Sequence, residues 1–185
     1  SATLRENVVA LARNIGYVPR SRRSARANVS FNVSGLTETS TLTLNTGIIC
    51  NGAGTGTNNI FSIPEDITVP VVDGFADFSN VEIYEGTLIT ETFTYDSSLF
   101  NQRFLLDNSF IDTSTIKVKV RTNINSTSSV TYQQIDNIVG VTSTTASYLL
   151  QEIEDERYEL IFGDNTIGKK LSNDNYITVT YITNS

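Results

Sequence analysis

The sequence predicts a mainly β protein of the α+β class: an N-terminal amphipathic helix followed by an antiparallel β-sheet or sandwich body. Three observations point there. Apolar residues recur at helical spacing over residues 3–16 and at a spacing of two from residue 27 onward. Thr, Ser and Asn make up about a third of the 185 residues. Thr favours strands, and Ser and Asn favour the turns between them. The chain has no His and a single Cys, Cys50. That excludes a Ser-His-Asp triad, a Cys-His dyad, an imidazole metal ligand and an internal disulfide. Cys50 reads as a small core or strand-end residue, not a nucleophile. Methionine is also absent, at position 1 included, which predicts that the chain is a piece of a longer protein.

The helix comes first. Thr3 and Glu6 form a capping box, in which the Thr side chain accepts from the first turn and Glu6 reaches back. Leu4, Val8, Leu11 and Ile15 fall on one stripe, Gly16 stops the helix and Pro19 follows. A basic arm comes next. Residues 1–26 carry six Arg against Glu6, a net +5, whereas the remainder is −12. Arg20, Arg22, Arg23 and Arg26 could bind nucleic acid, but the acidic body opposes it. Docking on an acidic protein surface, or on the chain's own body, fits the charges better.

Strands are predicted over Ala27–Val33, Thr41–Leu44, Asn59–Ile63, Ile67–Val72, Val81–Tyr95, Thr115–Arg121, Ser129–Tyr132, Tyr148–Phe162 and Tyr176–Ile182. Lys117 and Lys119 alternate with Ile116, Val118 and Val120, giving one wet and one buried face. The body, residues 27–185, is expected to divide into two subdomains near residues 96–114. Asn51–Gly56 reads as a flexible turn, because no Lys follows and the next segment reads as strand, not helix. Glu152, Glu154 and Glu156 would share one strand face. Paired carboxylates can hydrolyse glycosides or hold a cation, but a partner-facing acidic edge is the better reading. The Asp-rich turns at Asp107–Asp112 and Asp164–Asn165 lack calcium-loop spacing.

Asn7–Pro19 followed by Ala25–Phe31 resembles the helix, Gly-Tyr-x-Pro turn and first strand of bacteriophage baseplate J-like proteins. Tyr158–Leu171, leading into Asn175–Tyr181, resembles that family's strand, Phe-Gly-Asp-Gly turn and closing strand. A looser likeness runs through Thr43–Val72. In the turn Phe162, Gly163, Asp164, Asn165 and Gly168, Asn165 stands where the family usually has Gly. Asn tolerates positive φ better than other non-Gly residues, so the turn can survive. Asn173–Asn175 likewise replaces a Gly-containing turn.

The resemblance implies a structural component of a contractile-tail baseplate wedge in the virion, assembled in the host cytoplasm. Its partners would be other wedge proteins and copies of itself. It would rearrange when the tail contracts, with residues 17–26 as hinge. No active site, cofactor, metal, nucleic acid or membrane span is implied. Arg20, Arg22, Arg23, Arg26, Glu152, Glu154 and Glu156 would be its docking residues. A carbohydrate-binding or adhesin module is the alternative, with Tyr84, Tyr95, Tyr132 and Tyr148 as groove candidates. A polysaccharide-degrading enzyme using Glu152 and Glu154 is a third.

Overall fold

A computed structural model describes residues 22–37, 39–53 and 58–184. The helix expected at 3–16, Arg20 and the first half of the expected hinge lie outside the described residues. Among the described residues thirteen strands make up two sheets, each with its own core. The first sheet contains β1 (Arg26–Val33), β2 (Thr41–Leu44), β3 (Gly47–Ala53), β4 (Asn58–Ile63), β5 (Ile67–Val72) and β6 (Phe75–Glu85). The second contains β7 (Thr87–Thr94), β8 (Phe104–Leu106), β9 (Ile111–Arg121), β10 (Ser129–Gln134), β11 (Ser147–Glu152), β12 (Tyr158–Phe162) and β13 (Tyr176–Thr183). Among the described residues the only helical element is a 3-10 turn, Glu154–Glu156.

β6 organises the first sheet. One of its edges pairs with β1, and the other pairs first with β5 and then with β4. Strict alternation from Ala76 and Phe78 would turn Asn80 inward and Val81 outward. Two steps along β1, Val29 to Phe31, match three along β6, Val81 to Phe78. The extra residue is a bulge with Asn80 at φ 53° and its N–H donating to Ser30 Oγ at 3.0 Å. Ala76, Phe78, Val81 and Ile83 therefore all face inward with Ile63. Burying each large side chain contributes roughly 2 kcal/mol.

The second sheet runs β7-β13-β9-β10-β11-β12-β8 and curls until its ends meet, making it nearly a barrel. Its interior holds Leu106, Ile111, Val118, Leu160, Ile177, Val179 and Tyr181, all essentially without solvent exposure. Phe104, Phe162 and Tyr132 stack edge to face through it. On β9 and β13 the alternation is as the sequence suggests, with Lys119 exposed and Val118, Val120, Ile177 and Val179 buried.

Several expectations need correction. The body is not a sandwich sharing one core, because each sheet closes over its own apolar cluster. Nor is it wholly antiparallel: β10 and β11 run parallel, joined by a crossover through residues 135–146. The sheets change over at Gly86, not near 96–114, and Gly86 also breaks Val81–Tyr95 into β6 and β7. Gly86 has φ 129°, and a Cβ there would lie 2.3 Å from Thr183 O. Tyr148–Phe162 likewise splits into two antiparallel strands around the 3-10 turn. Asn51, Gly52 and Ala53 belong to β3, where Gly52 makes room for the Phe61 ring. Cys50 lies on that strand but is exposed.

Candidate docking surface

The described end of the basic arm, residues 22–26, folds onto the chain's own body, at the junction of the two sheets. Here β9 bulges: between the pairs Thr180–Lys117 and Ile182–Asp112, β9 advances five residues while β13 advances two. The backbone groups displaced by the bulge are met by side chains. Ile182 N donates to Thr115 Oγ1 at 2.9 Å, and that hydroxyl donates to Asp112 O at 2.7 Å. Asp112 is fully buried, and its Oδ1 accepts from Ser114 N at 3.0 Å and Ser114 Oγ at 2.6 Å. Its other oxygen reaches the arm, accepting from Ser24 N at 2.8 Å.

Ser24 is itself buried, and its hydroxyl donates to Asn184 Oδ1 at 2.9 Å. Ala25 O accepts from Glu85 N at 2.8 Å, and Arg26 donates to Ser114 Oγ at 2.8 Å. Residues 22–26 are thus a strap stitching the barrel (through Asp112, Ser114 and Asn184) to the first sheet (through Glu85 and Glu82). A carboxylate buried with three donors on it is strongly held, because each charge-assisted bond is worth about twice a neutral one.

Of the predicted docking residues, Arg22 lies over the half-exposed Phe110 ring, 5.5 Å from its centroid, and Arg23 is exposed. Arg26 lies 4.7 Å from the centre of the Tyr84 ring and pairs with Glu82 at 3.4 Å. The Tyr84 hydroxyl donates to Glu82 at 2.7 Å. Burial, and then that bond to the Glu82 carboxylate, push the Tyr84 hydroxyl up to about 12. The same bond holds the Glu82 carboxyl below its ordinary value, with Arg26 adding to the effect. Arg26 is therefore spent on the chain's own acidic surface.

The acidic face does not form as expected. Glu152 ends β11, whereas Glu154 and Glu156 sit in the 3-10 turn, where Asp155 and Glu156 have φ 63° and 55°. The spacing of two lost its meaning once the chain left the strand. Among the described residues no group of carboxylates or thiols is arranged to hold a metal ion. No helix among them is long and apolar enough to cross a membrane. Tyr132 and Tyr148 are 4% and 2% exposed and belong to the barrel interior, so they line no groove; Tyr84 and Tyr95 are half-buried.

The Phe162–Gly168 turn closes tightly. Asn165 takes φ 68°, as its identity suggested, and donates its N–H to Gly168 O at 3.0 Å. Asp164 Oδ1 accepts from Thr166 N and Ile167 N at 2.8 and 2.9 Å. A Cβ at Gly163 would lie 2.1 Å from the Gly168 carbonyl carbon. Asp174, in the other Gly-replacing turn, takes φ 66°.

Sequence reasoning missed Ser24, Asp112, Thr115 and Asn184, and also the fork in which the half-exposed Arg103 donates from Nε and Nη2 to the buried Glu159 at 3.1 and 2.8 Å. The one available signal was Asp112-Thr113-Ser114-Thr115, short polar side chains able to replace ladder partners at the head of a strand. No known protein-family model and no curated protein sequence matches the chain.

Proposed function

We propose that the chain is a structural, non-catalytic component of a phage contractile-tail baseplate, a wedge element of the kind found in T-even phages. In this role it contacts other wedge proteins and copies of itself, and rearranges when the tail contracts. The observation that carries this reading is the strap. A basic segment is pinned by the buried Asp112 carboxylate across the junction of two β cores, so displacement of the arm is felt by both. The likeness of the flanking segments to baseplate J-like proteins supports that family. The described body adds β-rich architecture and tight Asn-containing turns where that likeness needs them.

The test uses the full chain assembled with its neighbouring baseplate proteins. Replacing Arg22 and Arg23 by Glu should weaken assembly and flatten its dependence on salt, because exposed charges act at a range set by screening. Unchanged assembly and unchanged salt dependence would remove the docking role. Labelling that places the chain anywhere but the tail baseplate removes the reading altogether.

A further inference from the structure

Where β7 and β8 meet, the barrel closes without a backbone ladder: among the described residues β7 pairs only with β13, and β8 only with β12. Side chains span the seam instead. Gln102 Nε2 donates to Thr94 O at 2.8 Å. Asp107 N donates to Glu91 Oε1 at 3.1 Å. The Tyr181 hydroxyl donates to the same carboxylate and accepts from Asn108 Nδ2 at 2.7 Å. Phe93 meets Phe104 edge to face, 5.6 Å between centroids.

We propose that this seam is a built-in opening of the barrel, latched by Glu91, through which residues 98–109 swing away from β7 while staying attached to β12. The segment is anchored at its ends by backbone bonds of Tyr95 to Asp174 and Asn175 and of Phe110 to Asn184. The direction follows from what holds each side. Toward β12 the segment has a three-pair ladder and the Arg103–Glu159 fork, whose carboxylate is 2% exposed. Toward β7 it has isolated side-chain bonds: Glu91 receives one of them from Asp107 N and is linked to Asn108 through the Tyr181 hydroxyl of β13. Sub-global openings take place where few such bonds must break together. The opened seam presents two unpaired backbone edges beside the Phe93, Phe104 and Phe162 rings, the surface an extended apolar segment of a neighbouring polypeptide can pair with. The inference rests on the proposed scaffold role only for its purpose. The motion itself belongs to the isolated chain.

Hydrogen exchange resolved to single amides tests it. In the unaltered chain, amides of residues 104–110 that are not bonded into the β12 ladder should exchange at least about tenfold faster than those of Val118 and Val120. Glu91→Ala should speed them about tenfold more while leaving Val118, Val120 and the β8–β12 ladder in place. A second arm joins Glu91→Cys and Asp107→Cys with a short bifunctional thiol-alkylating reagent, Cys50 being replaced by Ser. That link should slow exchange at the same amides. Equal rates at these amides and Val118, a uniform speeding of the whole barrel in Glu91→Ala, or no effect of the link would each overturn the opening. A rigid seam in a chain that still assembles with baseplate proteins sinks this inference alone.

Discussion

Asp112 has no access to water, yet it keeps three donors satisfied, one from the arm and two from Ser114. Removing the carboxylate leaves the N–H of buried Ser24 without an acceptor and takes both of its bonds from Ser114. Asp112→Ala should therefore cost about 3 kcal/mol in urea unfolding. Asp112→Asn should rescue only part of this, because either placement of the amide sets its NH2 against one of the donors. Full rescue by Asn would show that charge is irrelevant to the strap. Tyr84 makes a second residue-scale prediction, in pH. Its folded value lies above that of a free tyrosine, so its contribution to stability is complete below about pH 10 and is lost as pH rises towards 12. Glu82 is shifted the other way, and its contribution is lost as pH falls below the ordinary carboxylate range. Tyrosinate absorbance should show a late ionisation that disappears in Tyr84→Phe. A late step of undiminished size in that variant, the lost absorbance falling near pH 10 instead, would mean that Tyr84 ionises like a free tyrosine.

At the scale of elements, the strands legible in the sequence are those whose two faces differ in chemistry. β2 and β5 match their expected ends, and β9, with its alternating lysines, was found apart from its bulged head. The end of β3, Asn51–Ala53, reads as part of a turn because Gly52 hides a strand that needs it, being small enough for the Phe61 ring. β8, Phe-Leu-Leu, is too short to show any period. The first half of β6 was hidden because its bulge puts Ser79 and Asn80 between two correctly facing halves. The strap was illegible for a different reason: Ser24 and Asp112 are 88 residues apart, and no local pattern encodes such a meeting. Gly86 was visible only as a residue, not as the point where the sheets change over. Its role is testable. Gly86→Ala puts a Cβ against Thr183 O and the Ile182 side chain at φ 129°, and should cost about 3 kcal/mol through strain and overpacking. A loss below about 1 kcal/mol would mean that the junction relaxes freely.

Over the whole molecule, the question is whether two cores behave as one. Contacts that join them include the strap, the Ser62 hydroxyl donating to Gly86 O at 2.8 Å, and the Lys117–Glu65 pair at 3.1 Å. The last is exposed on both partners and is worth a few tenths of a kcal/mol at most, so cohesion should reside in the buried polar strap. The chain offers a natural way to watch each part. It has no Trp, and among the described tyrosines only Tyr84 lies in the first sheet, whereas Tyr132, Tyr148, Tyr158, Tyr176 and Tyr181 lie on barrel strands. Tyrosine fluorescence therefore follows the barrel, while far-ultraviolet circular dichroism follows both sheets. In the unaltered chain the two signals should lose structure at one denaturant midpoint. Asp112→Ala should split them, the dichroism developing a second step, and Lys117→Ala should leave them coincident. Separate midpoints already in the unaltered chain would make the strap a tether between independent units. The arm could then no longer transmit a displacement to both.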